Sequence, residues 1–208
     1  MTDLPLILLT LIIWTYWLCV GIMIVRVRKQ TRKPAGVVPK QGLERALWLI
    51  WVPLIGAWLT LPYLAITRIH PALGVPDFAR QAAPFAALRW VAAICAVLCL
   101  ALTIECWLRM GKNWRMAVAP GDQPELVTDG LYAHIRHPIY SLSILLMCCS
   151  AVVLPTIAML VVAAVHVLLM VLKARNEERF LAGNLGPVYE AYRERTGRFF
   201  PRVLARHP

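Results

Sequence analysis

The chain has 208 residues, of which 60% are hydrophobic, and a formal net charge of +11. Globular domains run about 45–50% apolar, and the excess here is gathered into long runs, which argues against a water-soluble fold. The basic charge flanks those runs, so anionic headgroups and topology account for it better than nucleic acid does.

Five apolar runs follow in chain order: residues 4–25, 46–66, 85–108, 139–154 and 156–172. A helix needs roughly 20 apolar residues to cross a hydrocarbon core of about 30 Å. The first run lacks a basic stretch before it and a small-x-small cleavage site after it, so it reads as a retained span rather than a signal peptide. Pro53 and Pro62 are expected to kink the second, which neighbouring helices tolerate. The last two runs are short and Pro155 separates them, which predicts a helical hairpin whose tip barely leaves the membrane. Little chain remains between the runs, so residues 1–208 read as a single membrane domain. The six cysteines (Cys19, Cys95, Cys99, Cys106, Cys148 and Cys149) all fall inside apolar runs. They read as small hydrophobes, and Cys95, Cys99 and Cys106 share a helical face suited to close packing.

The positive charges orient these spans. Residues 26–45 hold seven Lys/Arg, residues 109–136 four and residues 173–206 eight, whereas only Arg68, Arg80 and Arg89 surround the loop between the second and third runs. This asymmetry places the N-terminus outside and the C-terminus in the cytoplasm; in a bacterium the membrane would be the inner (plasma) membrane. Of the three cytoplasmic segments, 26–45 reads as an irregular linker and 111–138 as a Gly-, Pro- and Asp-punctuated loop. The third, 173–208, opens with Phe180, Leu181, Leu185, Val188, Tyr189 and Tyr192 at helical spacing. It predicts an amphipathic helix that lies on the membrane or caps a pocket.

The densest polar cluster is Leu-Val-Thr-Asp-Gly-Leu-Tyr-Ala-His-Ile-Arg-His-Pro-Ile-Tyr, residues 126–140, running directly into the fourth span. Gly130 allows a tight turn, and Pro138 suits the first turn of a helix. Arg136 and His137 then sit at the membrane boundary, either as interfacial anchors or beside free helix N–H groups that would receive an anion. A second cluster, Lys-Ala-Arg-Asn-Glu-Glu-Arg at 173–179, lies at the exit of the fifth span. Glu177 and Glu178 there either pair with Arg175 and Arg179 or bind a cationic ligand. If the last two spans are antiparallel neighbours, Arg136, His137 and Tyr140 meet Glu177 and Glu178. Such a mixed site suits a zwitterionic ligand with an amine or a sulfonium. No metal-ligand spacing is present. His166, inside a span, is either a functional group or an interhelical hydrogen-bond partner.

The stretch 126–140, with its Arg136-His137-Pro138-Ile139-Tyr140 core, resembles a signature of the isoprenylcysteine carboxyl methyltransferase family. The tail resembles that family's C-terminal signature at Glu177-Glu178-Arg179-Phe180-Leu181, Leu185-Gly186, Tyr189, Tyr192 and Phe200-Pro201, and residues 108–114 fit the segment after its third span. The resemblance covers about residues 100–201, and related phospholipid N-methyltransferases share the double Glu. The apolar runs and their orientation predict an all-α integral membrane protein of five transmembrane helices, and the resemblance implies a membrane methyltransferase. A cytoplasmic loop and a C-terminal amphipathic helix would form a pocket for S-adenosyl-L-methionine, with a lipophilic substrate approaching from the bilayer lipid. By matching positions it implies cofactor contacts at His137, Tyr140, Glu177 and Glu178, with Gly130, Leu131, Tyr132 and Tyr189 as further candidates. Arg136 or Arg175 would hold a carboxylate substrate. Leu142 stands where the family usually has Gly, which bears on the shape of the pocket. Two alternatives compete: an NADPH-dependent reductase of the sterol-reductase type, and a membrane scaffold without catalysis. The reductase reading is opposed by the short chain, the Glu pair and the lack of an acid just after Tyr140.

Overall fold

The computed structural model describes residues 2–32, 36–37, 39, 41–117 and 125–202. Among these, the chain is helical apart from turns and one isolated bridge between Ile135 and Gly197. Four helices are long and apolar enough to cross a bilayer: α1 (Leu4–Thr31), α2 (Gly42–Thr67), α4 (Ala83–Met110) and α6 (Ile157–Leu185). The short α3 (Asp77–Gln81) precedes α4, and α7 (Pro187–Arg195) follows α6. The apolar helix α5 (Pro138–Val153) has 16 residues, about 24 Å at 1.5 Å per residue, and is therefore shorter than a usual span.

Local chemistry sets the ends of these elements. The Asp3 side chain caps α1 by accepting from the Leu6 N–H at 3.2 Å. α1 runs on past residue 25 to Thr31, so the linker expected from residue 26 is helical over its first six residues. Arg28 and Lys29 in the last turn suit the negative end of the helix dipole. Residues 33–35, 38 and 40 of that linker lie outside the described residues. Pro53 and Pro62 are both inside α2. Pro155 breaks the chain between α5 and α6, and Thr156 Oγ1 caps α6 by accepting from the Met159 N–H at 3.2 Å.

The helical spacing expected from Phe180 to Tyr192 falls on two elements, because α6 continues unbroken through Leu185. The break comes at Gly186, with φ at 52°, and Pro187 starts α7. The amphipathic pattern is thus divided between the last turns of α6 and the short α7.

The four long apolar helices and the shorter α5 close a ring: α1 packs on α2, α2 on α6, α6 on α5, α5 on α4 and α4 on α1. The α4–α5 contact is the most extensive. α4 presents Ala92, Ala93, Ala96 and Cys99, all buried, and small residues let helix backbones approach closely. Of the three cysteines expected on that face, Cys99 and Cys106 are buried and Cys95 is half-buried. Leu9, Ile13, Trp58, Met147 and Met159 fill the interior, while Leu18, Leu49, Val91 and Ile157 face outward. Apolar surface of this extent is what a lipid-facing exterior requires.

Three polar cross-links pierce the bundle. Trp58 Nε1 donates to Ser150 Oγ at 3.0 Å. Ser143 Oγ lies 2.9 Å from His166 Nε2, so His166 makes the interhelical contact that was one of its two readings. At the end of the bundle where α1 and α4 begin, Arg89 is buried, donates Nε to the Val153 carbonyl at 2.9 Å, and grips both Asp3 oxygens at 2.7 and 2.8 Å. That guanidinium ties α1, α4 and α5 together. Asp3→Asn leaves a buried cation without its counter-charge and is expected to destabilise the detergent-solubilised protein by about 3 kcal/mol, read as a fall in thermal midpoint; an unchanged midpoint refutes this role.

Candidate functional site

At the opposite end of the bundle, the segment before α5 is folded into place by two glycines. Gly130, at φ 58°, opens a short 3-10 turn, and a Cβ there would lie 2.7 Å from Arg109 Nε. Arg109 itself bonds Glu105 at 2.9 Å and Asp129 at 2.6 Å, which pins the turn to the end of α4. Gly197 lies so close to the Phe200 carbonyl that a Cβ has no room. This tight return lets the C-terminal segment pair with the chain before α5: the Gly197 N–H donates to the His134 carbonyl at 3.0 Å, the Arg136 N–H to Gly197 at 2.8 Å and the His137 N–H to Arg198 at 3.1 Å. The Tyr192 hydroxyl, from α7, donates to the Tyr132 carbonyl at 2.7 Å.

The two adjacent acids on α6 have different neighbours. Glu178, 8% exposed, accepts from Arg136 Nε at 3.0 Å and from Arg198 Nε and Nη2 at 3.0 and 2.5 Å. The Arg136 guanidinium also donates to the carbonyls of Arg193, at 3.1 Å, and Thr196. Glu177 accepts from the Tyr140 hydroxyl. His137 reaches both acids, with Nδ1 3.5 Å from Glu177 Oε2 and Nε2 3.4 Å from Glu178 Oε1, and its ring stacks on Tyr140 at 5.5 Å between centroids and 7° between planes. The acids therefore pair with Arg136, Arg198 and His137, not with Arg175 and Arg179.

Charge states follow from these contacts. Burial alone would neutralise Glu178, but His137, Arg198 and Arg136 outweigh it and hold the carboxyl well below the usual carboxylate range. Burial likewise opposes the ionised Glu177, which His137, Lys173 and the Tyr140 hydroxyl bring below its ordinary value. Burial disfavours the His137 imidazolium, yet the two carboxylates prevail and its pKa is raised.

A cavity of about 170 Å³ opens beside this cluster. Of the residues singled out in the sequence, Arg136, His137, Tyr140, Glu177, Tyr132 and Tyr189 line it. Glu178, Gly130, Leu131 and Arg175 are not on its wall: Glu178 lies behind it in the arginine clamp, Gly130 and Leu131 shape the supporting turn, and Arg175 is exposed on α6. The phenol oxygens of Tyr132 and Tyr189 are buried with no hydrogen-bond partner among the described residues, which suits a wall built to receive a polar ligand. Leu142 packs against the bundle core rather than on the cavity. Arg198 escaped the sequence reading because nothing local separates it from the other basic residues of the tail. Glu44 and Lys173, buried on α2 and α6, escaped because their burial depends on helix packing.

The raised His137 pKa stabilises the fold fully below its ordinary 6.5 and is lost as pH climbs through the raised value. The lowered Glu178 pKa contributes above the ordinary 4.5 and is lost on acidification through the lowered one. The thermal midpoint is therefore expected to peak between those two ordinary values and to decline above them, and His137→Asn is expected to flatten the alkaline decline; an equal decline in that variant refutes the assignment to His137.

The segment that builds this site is also the part of the chain that matches known proteins. Residues 91–183 match the family model described as the isoprenylcysteine carboxyl methyltransferase family. No curated protein matches the chain. The match begins in α4 and ends in α6, enclosing the turn at Gly130, the Arg136–Tyr140 stretch and both acids, and stopping short of α7 and Arg198. Over this segment the chain is similar to the isoprenylcysteine carboxyl methyltransferase family, and its long apolar helices fit a multi-pass membrane protein.

Proposed function

We propose that the protein transfers a methyl group from S-adenosyl-L-methionine to a lipophilic acceptor reaching the cavity from the bilayer. The observation that carries this reading is the composition of the cavity wall: a half-buried carboxylate, Glu177, held ionised, beside two buried phenols without partners among the described residues. That wall fits a ligand with a cationic end and several hydrogen-bonding groups. When bound, S-adenosyl-L-methionine supplies a methyl group activated by its sulfonium.

The chain's own residues bind, orient and exclude water. Glu177 offers a fixed negative charge, and His137 and Tyr140 hold it in place. Tyr132 and Tyr189 offer hydroxyls to the ligand's polar groups. Arg136, on the wall, and Glu178, behind it, fasten the chain after α7 over the end of α6, and so keep α7 with Tyr189 against the cavity. A methyl transfer is an in-line displacement, for which alignment and exclusion of water are the main requirements. Arg175 is left out of this reading because it is exposed and off the cavity wall. The acceptor is an isoprenylcysteine-like carboxylate, an isoprenoid or a phospholipid headgroup. A carboxylate needs no proton removed, whereas an ammonium must first lose one, and Glu177, one of two carboxylates on the wall with Glu125, is the one we assign to take it.

In the same reading the chain is one membrane domain crossing the bilayer five times, with α5 as the shortest crossing. The basic segments around the site put it on the cytoplasmic side and the Asp3–Arg89 end outside, in the inner membrane if the source is bacterial.

Calorimetric titration of the detergent-purified protein is expected to show saturable binding of S-adenosyl-L-methionine and S-adenosylhomocysteine and none of NADPH. Binding of neither adenosyl ligand by folded protein would overturn the reading, and binding of NADPH alone would favour a reductase. Glu177→Gln is expected to weaken S-adenosyl-L-methionine about tenfold, the scale of one hydrogen bond to a charged group; unchanged affinity would remove Glu177 from the site. Arg198→Ala loosens the clamp without touching the cavity wall and is expected to weaken both adenosyl ligands by a common factor, measured in the same titration.

A further inference from the structure

Lys173 lies on α6 one turn before Glu177 and is 3% exposed. Its Nζ donates to the Met116 carbonyl at 2.7 Å and lies over two rings, 5.0 Å from the Trp51 centroid and 6.0 Å from that of Tyr140. None of the ion pairs among the described residues includes it. An ammonium withdrawn from water without a paired carboxylate is costly, and aromatic faces recover only part of that. Its compensation comes from farther off. Glu177 and Glu44 both feel its charge.

Glu44 is fully buried on α2. Its Oε1 accepts from Asn176 Nδ2 at 2.9 Å, an amide that Gln41 Oε1 also receives at 3.1 Å. Its Oε2 has no partner among the described residues. α2 lies outside the matched segment and contributes nothing to the cavity wall. Through Asn176 and Lys173 it nonetheless places a buried carboxylate within electrostatic reach of Tyr140 and Glu177.

We propose that Lys173 is a specificity-determining residue of the cavity: its buried ammonium, seated against Tyr140 and opposed by Glu177 and Glu44, sets how far the site favours a cationic ligand over a neutral one. This rests on the reading of the cavity as an S-adenosyl-L-methionine site. The methyl donor carries a sulfonium, and the product S-adenosylhomocysteine carries an uncharged thioether in its place. A site walled by unopposed carboxylates holds the donor far more tightly than the product. A fixed cation nearby moderates that difference, and it does so through the field, without touching either ligand.

The ratio of donor to product affinity separates this role from a structural one, because a damaged fold weakens both ligands alike. In titrations of the full-length protein, Lys173→Met is expected to raise the preference for S-adenosyl-L-methionine over S-adenosylhomocysteine on the order of tenfold, the effect of one unit charge at about 10 Å in a protein-like dielectric. Lys173→Arg, which keeps the charge, is expected to restore the wild-type ratio. Glu44→Gln is expected to move the ratio the other way, and it decides the matter if Lys173→Met does not fold. A ratio within twofold of wild type in the variants that fold, while both ligands still bind, overturns the proposal and leaves the cofactor reading standing. Wild-type protein that binds neither ligand overturns both.

Discussion

The carboxylate of Glu178 is the constraint around which the functional end of this protein is organised. A buried ion is tolerated only when its lone pairs are met by donors, and here they are met from two places far apart in the sequence, Arg136 before α5 and Arg198 after α7. His137 adds a third positive neighbour at 3.4 Å. Satisfying one acid on α6 therefore brings the segment before α5 and the tail together. The backbone pairing of residues 134–137 with 197–198 follows the same line. Because the tail is fastened there, α7 is held where Tyr189 and Tyr192 form part of the cavity wall.

The bundle supplies the rigid frame for that clamp. Helices in lipid gain no hydrophobic drive toward one another, so close packing and polar cross-links hold them. The alanines and Cys99 of α4 against α5 provide the first, and the Trp58–Ser150 and His166–Ser143 contacts the second. At the far end, the Asp3–Arg89 pair and the Val153 carbonyl join the starts of α1 and α4 to the end of α5. The ring is thus tied by charge at both ends and by shape between them. Within it, the neighbouring acids Glu177 and Glu178 divide the work, one facing the cavity and the other holding the tail.

The helical runs, the break at Pro155, the start of α5 at Pro138 and the crowding of basic residues at one end were all readable from the sequence. Each rests on local chemistry: apolar length, proline's missing N–H, and charge beside the membrane. The residues of the site were largely readable as well, because the Gly130–Tyr140 stretch and the Glu pair are contiguous motifs. The expected meeting of Arg136, His137 and Tyr140 with Glu177 and Glu178 is seen, whereas the other open reading, pairing with Arg175 and Arg179, is not. Arg175 and Arg179 are the acids' nearest basic residues along the chain, yet residues one or two apart on a helix do not face each other and Arg175, three before Glu178, is exposed, so the acids turn instead toward Arg136, His137 and Arg198. The helical pattern expected from Phe180 to Tyr192 is divided between α6 and α7. An amphipathic pattern can continue an existing helix, and only a breaker such as Gly186 decides where the axis changes.

The sequence by itself determined that this is a membrane protein, where its helices run, and which segments resemble a known family, since hydropathy, proline and motif are properties of neighbouring residues. The tertiary structure alone decided that Glu177 faces the cavity while Glu178 clamps the tail, that Arg198 joins the site, and that Lys173 and Glu44 are buried beside it. Those outcomes depend on which faces of α2, α5 and α6 meet. Helix packing fixes them between residues tens to more than a hundred positions apart, where no local pattern carries the information.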